Sequence, residues 1–199
     1  MHSVRNHPGL KIIAISTCLL FILLFSACSI GSVFKTIFRI FGKAEGDHGA
    51  DAEEYAVMIK VLDAIQSRDE NALRKLFSPK TVVKVDGFDQ SMRDLFDYYQ
   101  GEYISIDYKG SSGSESWDYG EKQRYIGVSY DVKTNQNEFR FSIDCCTADS
   151  ADGDNVGIFS LYIIKMEDDT DPEYGYGGDG KETPGINIGI RNVLPIEEE

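Results

Sequence analysis

Residues 124–146 read RYIGVSYDVKTNQNEFRFSIDCC, and the periodicity of this stretch decides the fold. From Arg124 to Lys133, Ile126, Val128, Tyr130 and Val132 alternate with Tyr125, Ser129 and Asp131. A period of two sets the apolar side chains on one face of a strand. Thr134-Asn135-Gln136-Asn137 supplies turn residues, and the alternation resumes through Glu138–Cys146 with Phe139, Phe141, Ile143 and Cys145 on one face. The segment is therefore a hairpin with one apolar side, and that side needs a second layer to bury it.

The second layer stands N-terminal to it. Asp51 opens a helical pattern in which Tyr55, Met58, Ile59, Leu62 and Ile65 share a face. After a break at Ser67-Arg68-Asp69, Leu73, Leu76 and Phe77 face inward from a short helix that Ser78-Pro79 stops. A third helix, capped by Asp89 or Ser91, carries Met92, Leu95, Phe96 and Tyr99 and ends at Gly101. Beyond Gly101 the period becomes two again. Tyr103–Tyr108 reads as a strand with Ile104, Ile106 and Tyr108 on one face, followed by a Gly/Ser loop from Gly110 to Glu115. A polar loop, Thr147–Asn155, precedes Val156–Met166, apolar enough for a central strand. Helices first and antiparallel strands afterwards indicate an α+β fold, N-terminal helices packed on a curved antiparallel sheet. No internal repeat is present.

The N-terminus reads as an address. Arg5 and Lys11 precede the apolar run Ile12–Phe25, shorter than the roughly 20 residues a permanent span requires. Phe25-Ser26-Ala27-Cys28 then resembles the bacterial lipobox, with Phe25 where leucine is usual. Residues 1–27 are read as a lipoprotein signal peptide and Cys28 as the diacylated, palmitate-bearing N-terminus of the mature chain. The alternative is an uncleaved N-terminal anchor, and either way the domain is exported. Residues 28–49 form a lipidated tether. Ile30, Val33, Phe34, Ile37, Phe38 and Phe41 recur at helical spacing there, so the tether either lies on the membrane as an amphipathic helix or packs elsewhere. Residues 50–199 are read as one α+β domain with an acidic, Gly-rich C-terminal segment.

Charge narrows the partners. The 199 residues carry a net −13, and losing residues 1–27 leaves 18 basic against 33 acidic side chains, −15. Such a chain is a poor ligand for nucleic acid, which is held by clustered Lys and Arg. It is also repelled by anionic headgroups, so membrane attachment rests on the lipid of Cys28.

No catalytic or metal set emerges. Gly175–Gly180 matches GxGxxG, yet the acidic run Glu167, Asp168, Asp169, Asp171 and Glu173 before it repels phosphate, so it reads as a flexible loop. Asp149, Asp152 and Asp154 leave an EF-hand loop incomplete and read as solvated charge. Cys145 and Cys146 are adjacent and point to opposite faces, Cys145 into the core and Cys146 half-exposed. His48 lies in a linker, so a Ser-His-Asp triad is not supported. Carboxylate chemistry would have to use Asp118, Asp131 or Asp144 with Tyr130, and alternation sets Asp131 and Asp144 opposite the apolar face, where they read as solvent-facing or loop-pairing acids. Trp117, Tyr130, Phe141, Tyr162 and Tyr99 are the candidate ligand-binding residues, from an aromatic set that also holds Tyr125 and Phe159. No cofactor is implied.

The element order resembles the nuclear-transport-factor-2-like (cystatin-like) cone. The stretches Ile59–Phe77, Asp94-Leu95-Phe96, Gly101, Trp117–Gly120, Ser129–Asn135, Asp154–Gly157, Ser160-Leu161, Ile163-Ile164-Lys165 and Pro184-Gly185-Ile186 resemble a family of uncharacterised Gram-positive lipoproteins. The resemblance spans roughly residues 50–190 and implies a domain of unknown function on a lipid anchor, with no catalytic residues to transfer. The expectation is a lipid-anchored extracytoplasmic domain at the cell membrane that binds a small ligand or an envelope protein. The alternative is a small pocket enzyme of the same fold, using a carboxylate as acid or base. Replacing Cys28 with Ala is expected to abolish incorporation of labelled palmitate and to release or mislocalise the protein, measured by metabolic labelling and membrane fractionation.

Overall fold

The computed structural model describes residues 52–170, 172 and 175–189. The stretches expected as signal peptide (1–27) and tether (28–49), with Cys28 and His48, lie outside the described residues, as do Asp171 and Glu173. Helices α1 (Ala52–Gln66), α2 (Glu70–Arg74), α3 (Pro79–Lys84) and α4 (Phe88–Tyr98) precede the strands β1 (Tyr103–Asp118), β2 (Glu121–Thr134), β3 (Glu138–Asp149), β4 (Gly157–Lys165) and β5 (Gly185–Ile188). The strands form one curved, unclosed sheet in the order β1-β2-β3-β4-β5. The first four pair antiparallel, and β5 runs parallel to β4. The architecture is α+β, as the change of period indicates. No helix among the described residues is long and apolar enough to cross a membrane.

The helical layer forms for local reasons. Asp69 caps α2 by accepting from the Ala72 amide at 2.9 Å. Ser78-Pro79 does more than stop a helix, because it also opens α3. Ser78 Oγ accepts from the Thr81 amide at 3.1 Å, and Pro79 stands at the first helical position, where a missing N–H is harmless. Helix α4 starts at Phe88 rather than at an Asp89 or Ser91 cap. Gly87 supplies the turn into it with φ +71°, a conformation that favours glycine.

These helices bury the apolar face of the sheet. Met58, Val61, Leu62, Leu73, Met92 and Leu95 meet Val128, Tyr130, Val132, Phe139, Phe141, Ile143 and Leu161 in one core. Tyr99 stacks on Phe139 with ring centroids 5.0 Å apart. The register shift between Tyr103 and Ser105 turns Ile104 outward, 60% exposed, while Tyr103, Ile106 and Tyr108 pack on the core. The expected Gly110–Glu115 loop is strand instead: β1 continues to Asp118, paired with β2 out to Glu121. Tyr119 and Gly120 turn the hairpin with φ +46° and +89°, the handedness that two-residue hairpin turns require. Serine and glycine read as loop from composition, yet a strand on a solvated hairpin arm has no core face to display.

The opposite face of the sheet is covered, which departs from the sequence expectation. A parallel fifth strand requires a crossover connection, and the described residues between Met166 and Pro184 provide it across the back of β2–β4. Arg140, 1% exposed, anchors the crossover. Its Nε and Nη2 donate to the two Asp131 oxygens at 2.8 and 3.0 Å, and its Nη1 donates to Asp169 at 3.2 Å and to the Pro172 carbonyl at 2.9 Å. Further along, the Gly177 amide donates to Ser142 Oγ at 2.8 Å. Tyr162 Oη donates to Asp179 at 2.5 Å and accepts from the Thr183 amide at 2.6 Å. Ser160 Oγ donates to the Thr183 carbonyl at 2.9 Å. The glycine-rich segment expected as a flexible loop is thus tied down, with Gly177 and Gly178 buried. Asp131, expected as a solvent-facing or loop-pairing acid, is buried and pairs with Arg140 on the neighbouring strand.

Removing Arg140 takes four hydrogen bonds away from Asp131, Asp169 and the Pro172 carbonyl while the carboxylates stay buried. Arg140→Met is expected to lower stability by about 3–5 kcal/mol, read as a lower urea midpoint. Adding Asp131→Asn and Asp169→Asn to that variant is expected to restore part of the loss.

Candidate functional site

Where the crossover leaves the back face, the structure opens into a groove of about 890 Å³. Helix α3 contributes Lys80, Thr81 and Lys84, and the outer half of β1 contributes Ser112 and Ser114. Tyr125 and Gly127 of β2, Asp144 of β3, Phe159 of β4 and Glu182 of the crossover complete the walls that matter chemically. The β1–β2 and β2–β3 registers explain the convergence, because Ser112 faces Gly127 and Gly127 faces Asp144. A Cβ at position 127 would stand 2.7 Å from Asp144 Oδ1 and 2.8 Å from Ser112 Oγ. The missing side chain is what lets the Asp144 carboxylate lie across β2 toward Ser112.

Asp144 is the ionisable group at the base of this groove, 7% exposed. Burial pushes its pKa from 3.8 up to about 6, against the pull of the hydrogen bond donated by Tyr176, and the Glu182 charge adds to the rise. Tyr176 Oη donates to Asp144 Oδ2 at 3.0 Å. Burial and the neighbouring carboxylate raise the Tyr176 phenol in turn, so it stays protonated as a donor. The arrangement is a carboxyl group that changes charge in mildly acidic solution, with one oxygen held by Tyr176 and the other directed toward Ser112. On the rim, Lys80 is engaged in an ion pair with Asp152, whereas Lys84 is exposed.

The five aromatic candidates do not converge on this groove. Tyr99, Tyr130 and Phe141 belong to the core on the helix side, with Tyr99 and Phe141 in edge contact at 6.1 Å. Among the described residues, Tyr130 Oη has no hydrogen-bond partner. Tyr162 is buried on the back face and ties down the crossover. Trp117 is 67% exposed near the β1–β2 turn, where its Nε1 donates to Glu115 at 3.0 Å and Lys122 lies 5.2 Å from its ring centroid. Asp118 lies at the same exposed tip. From the wider aromatic set, Tyr125 and Phe159 do reach the groove, with ring centroids 6.2 Å apart.

Sequence reasoning missed Gly127, Tyr176, Ser112, Ser114 and Lys84, and it read Asp144 as a solvent-facing or loop-pairing acid, whereas the residue is buried and paired by Tyr176 of the crossover. One signal was available. The non-core positions of β2, β3 and β4 carry Cys146, Tyr162 and Ile164 among Ser129, Asp131, Arg140, Ser142, Asp144 and Ser160. A solvated face alternates cleanly to polar residues, so apolar side chains on both sides of β3 and β4 mark a face that something else covers.

The remaining clusters are structural. Asp149 accepts from the Ala151 and Asp152 amides and from Asn155, and Asp152 caps the 153–155 turn and pairs with Lys80. Their oxygens are taken up by backbone amides and by the Gln123, Asn155 and Lys80 side chains, and no group of three metal-ligating side chains is found among the described residues. Cys145 sits in the core as expected. Cys146 is buried rather than half-exposed, with its Sγ 3.3 Å from the Ala148 carbonyl. Burial pushes the Cys145 thiol up to about 12 and raises Cys146 as well, which suppresses thiolate chemistry.

The raised Asp144 pKa has a signed consequence. Between 3.8 and about 6 the folded chain holds this proton more firmly than the unfolded chain does. The stability it contributes is full below 3.8 and is lost as the pH rises through 6. Asp144→Asn is therefore expected to remove this loss and to exceed the parent by about 2 kcal/mol at pH 8, measured by urea denaturation from pH 4 to 8.

Compared with curated proteins, the chain finds no match. A family model described as a domain of unknown function, DUF5104, matches residues 60–166, more than half of the chain. The match runs from the second half of α1 through the whole of β4, and thus takes in α2 to α4, the hairpin, Gly127 and Asp144. The chain belongs to the DUF5104 family.

Proposed function

We propose that this is a lipid-anchored extracytoplasmic domain of the nuclear-transport-factor-2-like (cystatin-like) type that binds a small polar ligand in the Asp144 groove. The anchor rests on the cationic leader, the short apolar run and the small-small-Cys end at Cys28. The cone assignment is supported by helices covering one face of a curved, largely antiparallel sheet. The observation that carries the binding reading is the meeting of Ser112, Gly127 and Asp144, a carboxyl group buried at the base of an open groove. Ligand sites are concavities in which a few convergent polar groups fix orientation. Trp117, presented on the hairpin tip, supports recognition of an envelope protein as a second contact of the same domain.

A specific observation also favours an enzymatic reading. A carboxyl group that ionises near pH 6, beside a phenolic donor, has the properties of a general acid or base. The two readings differ in what is recovered after incubation: a binding domain returns its ligand unaltered, whereas an enzyme returns product.

Thermal denaturation of the full chain against sugars, amino acids, amines and small carboxylates is expected to find at least one class that raises the midpoint. Gly127→Val fills the space between Asp144 and Ser112 and is expected to abolish that shift while leaving the circular dichroism spectrum unchanged. If no class stabilises the parent, or if Gly127→Val responds as the parent does, ligand binding in this groove is refuted.

A further inference from the structure

The walls of the groove differ in chemistry, and the difference selects a ligand class. Ser112 and Ser114 are alternate residues of β1, so their hydroxyls stand on one face, and both are exposed. Across from them Asp144 supplies an acceptor that two neighbouring hydroxyl groups can share. Tyr125 and Phe159 are half-buried and meet edge to face at 77°, so part of each ring borders the groove rather than the core.

An anionic ligand is disfavoured, since Asp144 and Glu182 line the site and Lys80 is engaged with Asp152. A plain cation would meet Lys84 and Lys80 on the same walls. A purely apolar ligand would desolvate the serine hydroxyls and the carboxylate without pairing them. What remains is a neutral molecule with a hydroxyl-rich edge and an apolar C–H face, able to rest on the electron-rich face of an aromatic ring.

We propose that the groove binds a neutral saccharide, with its hydroxyl edge toward Asp144 and Ser112 and its C–H face against Tyr125 and Phe159. This rests on the groove being a ligand site and adds the class of ligand. The volume of about 890 Å³ and the open mouth admit more than one sugar ring, so an oligosaccharide fits better than a monosaccharide.

The test is calorimetric titration of the full chain with maltotriose, cellotriose and triacetylchitotriose. At least one is expected to bind, and Asp144→Asn and Ser112→Val are each expected to weaken it about tenfold or more. Ser112 is exposed, so its variant keeps the test valid even where another substitution unfolds the protein. Trp117→Ala is expected to leave the affinity unchanged, which separates the groove from the exposed aromatic near the β1–β2 turn. The proposal is overturned if none of the three binds, if both groove variants bind like the parent, or if Trp117→Ala abolishes binding. Absence of saccharide binding together with a Gly127-dependent thermal shift from another class removes only the saccharide assignment. Absence of any ligand-induced shift removes the groove reading as well.

Discussion

The back of the sheet depends on the guanidinium of Arg140. A buried arginine must have its charge met and its donors satisfied, because leaving either unpaired costs several kcal/mol. Asp131, on the adjacent strand β2, meets one edge of the fork, and Asp169 with the Pro172 carbonyl meets the other. Two of these three partners lie in the connection that follows β4. The charge on β3 thereby dictates that the chain crosses the sheet, and the crossing delivers Tyr176 to Asp144 and Thr183 to Ser160.

The sheet consequently has two dissimilar interiors. On the helix side, apolar burial dominates and position is set by side-chain volume. On the crossover side, position is set by hydrogen bonds with defined directions, from Arg140 through Ser142 to Tyr162. A directional interior tolerates an ionisable group that an apolar one would reject, which is how Asp144 comes to be buried with a raised pKa and still faces a groove. The groove needs both interiors: α3 reaches it from the helical layer and Glu182 from the crossover.

The legibility of the sequence followed the physics of each segment. The hairpin over 124–146 and the helices α1, α2 and α4 were plain because an apolar face repeats with a fixed period, and the burial of Met58, Val128, Phe139 and Leu161 reflects it. The outer half of β1 was hidden because a solvated strand of Ser and Gly has no period. Ser78-Pro79 is ambiguous by nature, since the same two residues end one helix and cap the next. The candidate site was nearly invisible. Asp144 was identified as a carboxylate on the non-apolar face, but its burial depends on a segment whose glycines and acids resemble solvated loop. Gly127 acts through a side chain it lacks, and that effect emerges only from the β1–β2–β3 register.

The parallel fifth strand also bears on the order in which the molecule is completed. Once β4 has formed, the helices and the antiparallel meander already enclose an apolar core, so a chain ending there has a self-consistent interior. Its other face would still present a row of hydroxyls and a guanidinium that has Asp131 but lacks Asp169 and the Pro172 carbonyl. The last twenty or so described residues therefore close the structure rather than nucleate it. A chain emerging N-terminus first from a ribosome or a translocation channel would pass through an intermediate that is sealed on one side only. Such an intermediate leaves Arg140, Ser142, Asp144 and Ser160 open to water, with Tyr162 and Ile164 beside them as the apolar surface that the crossover has still to cover.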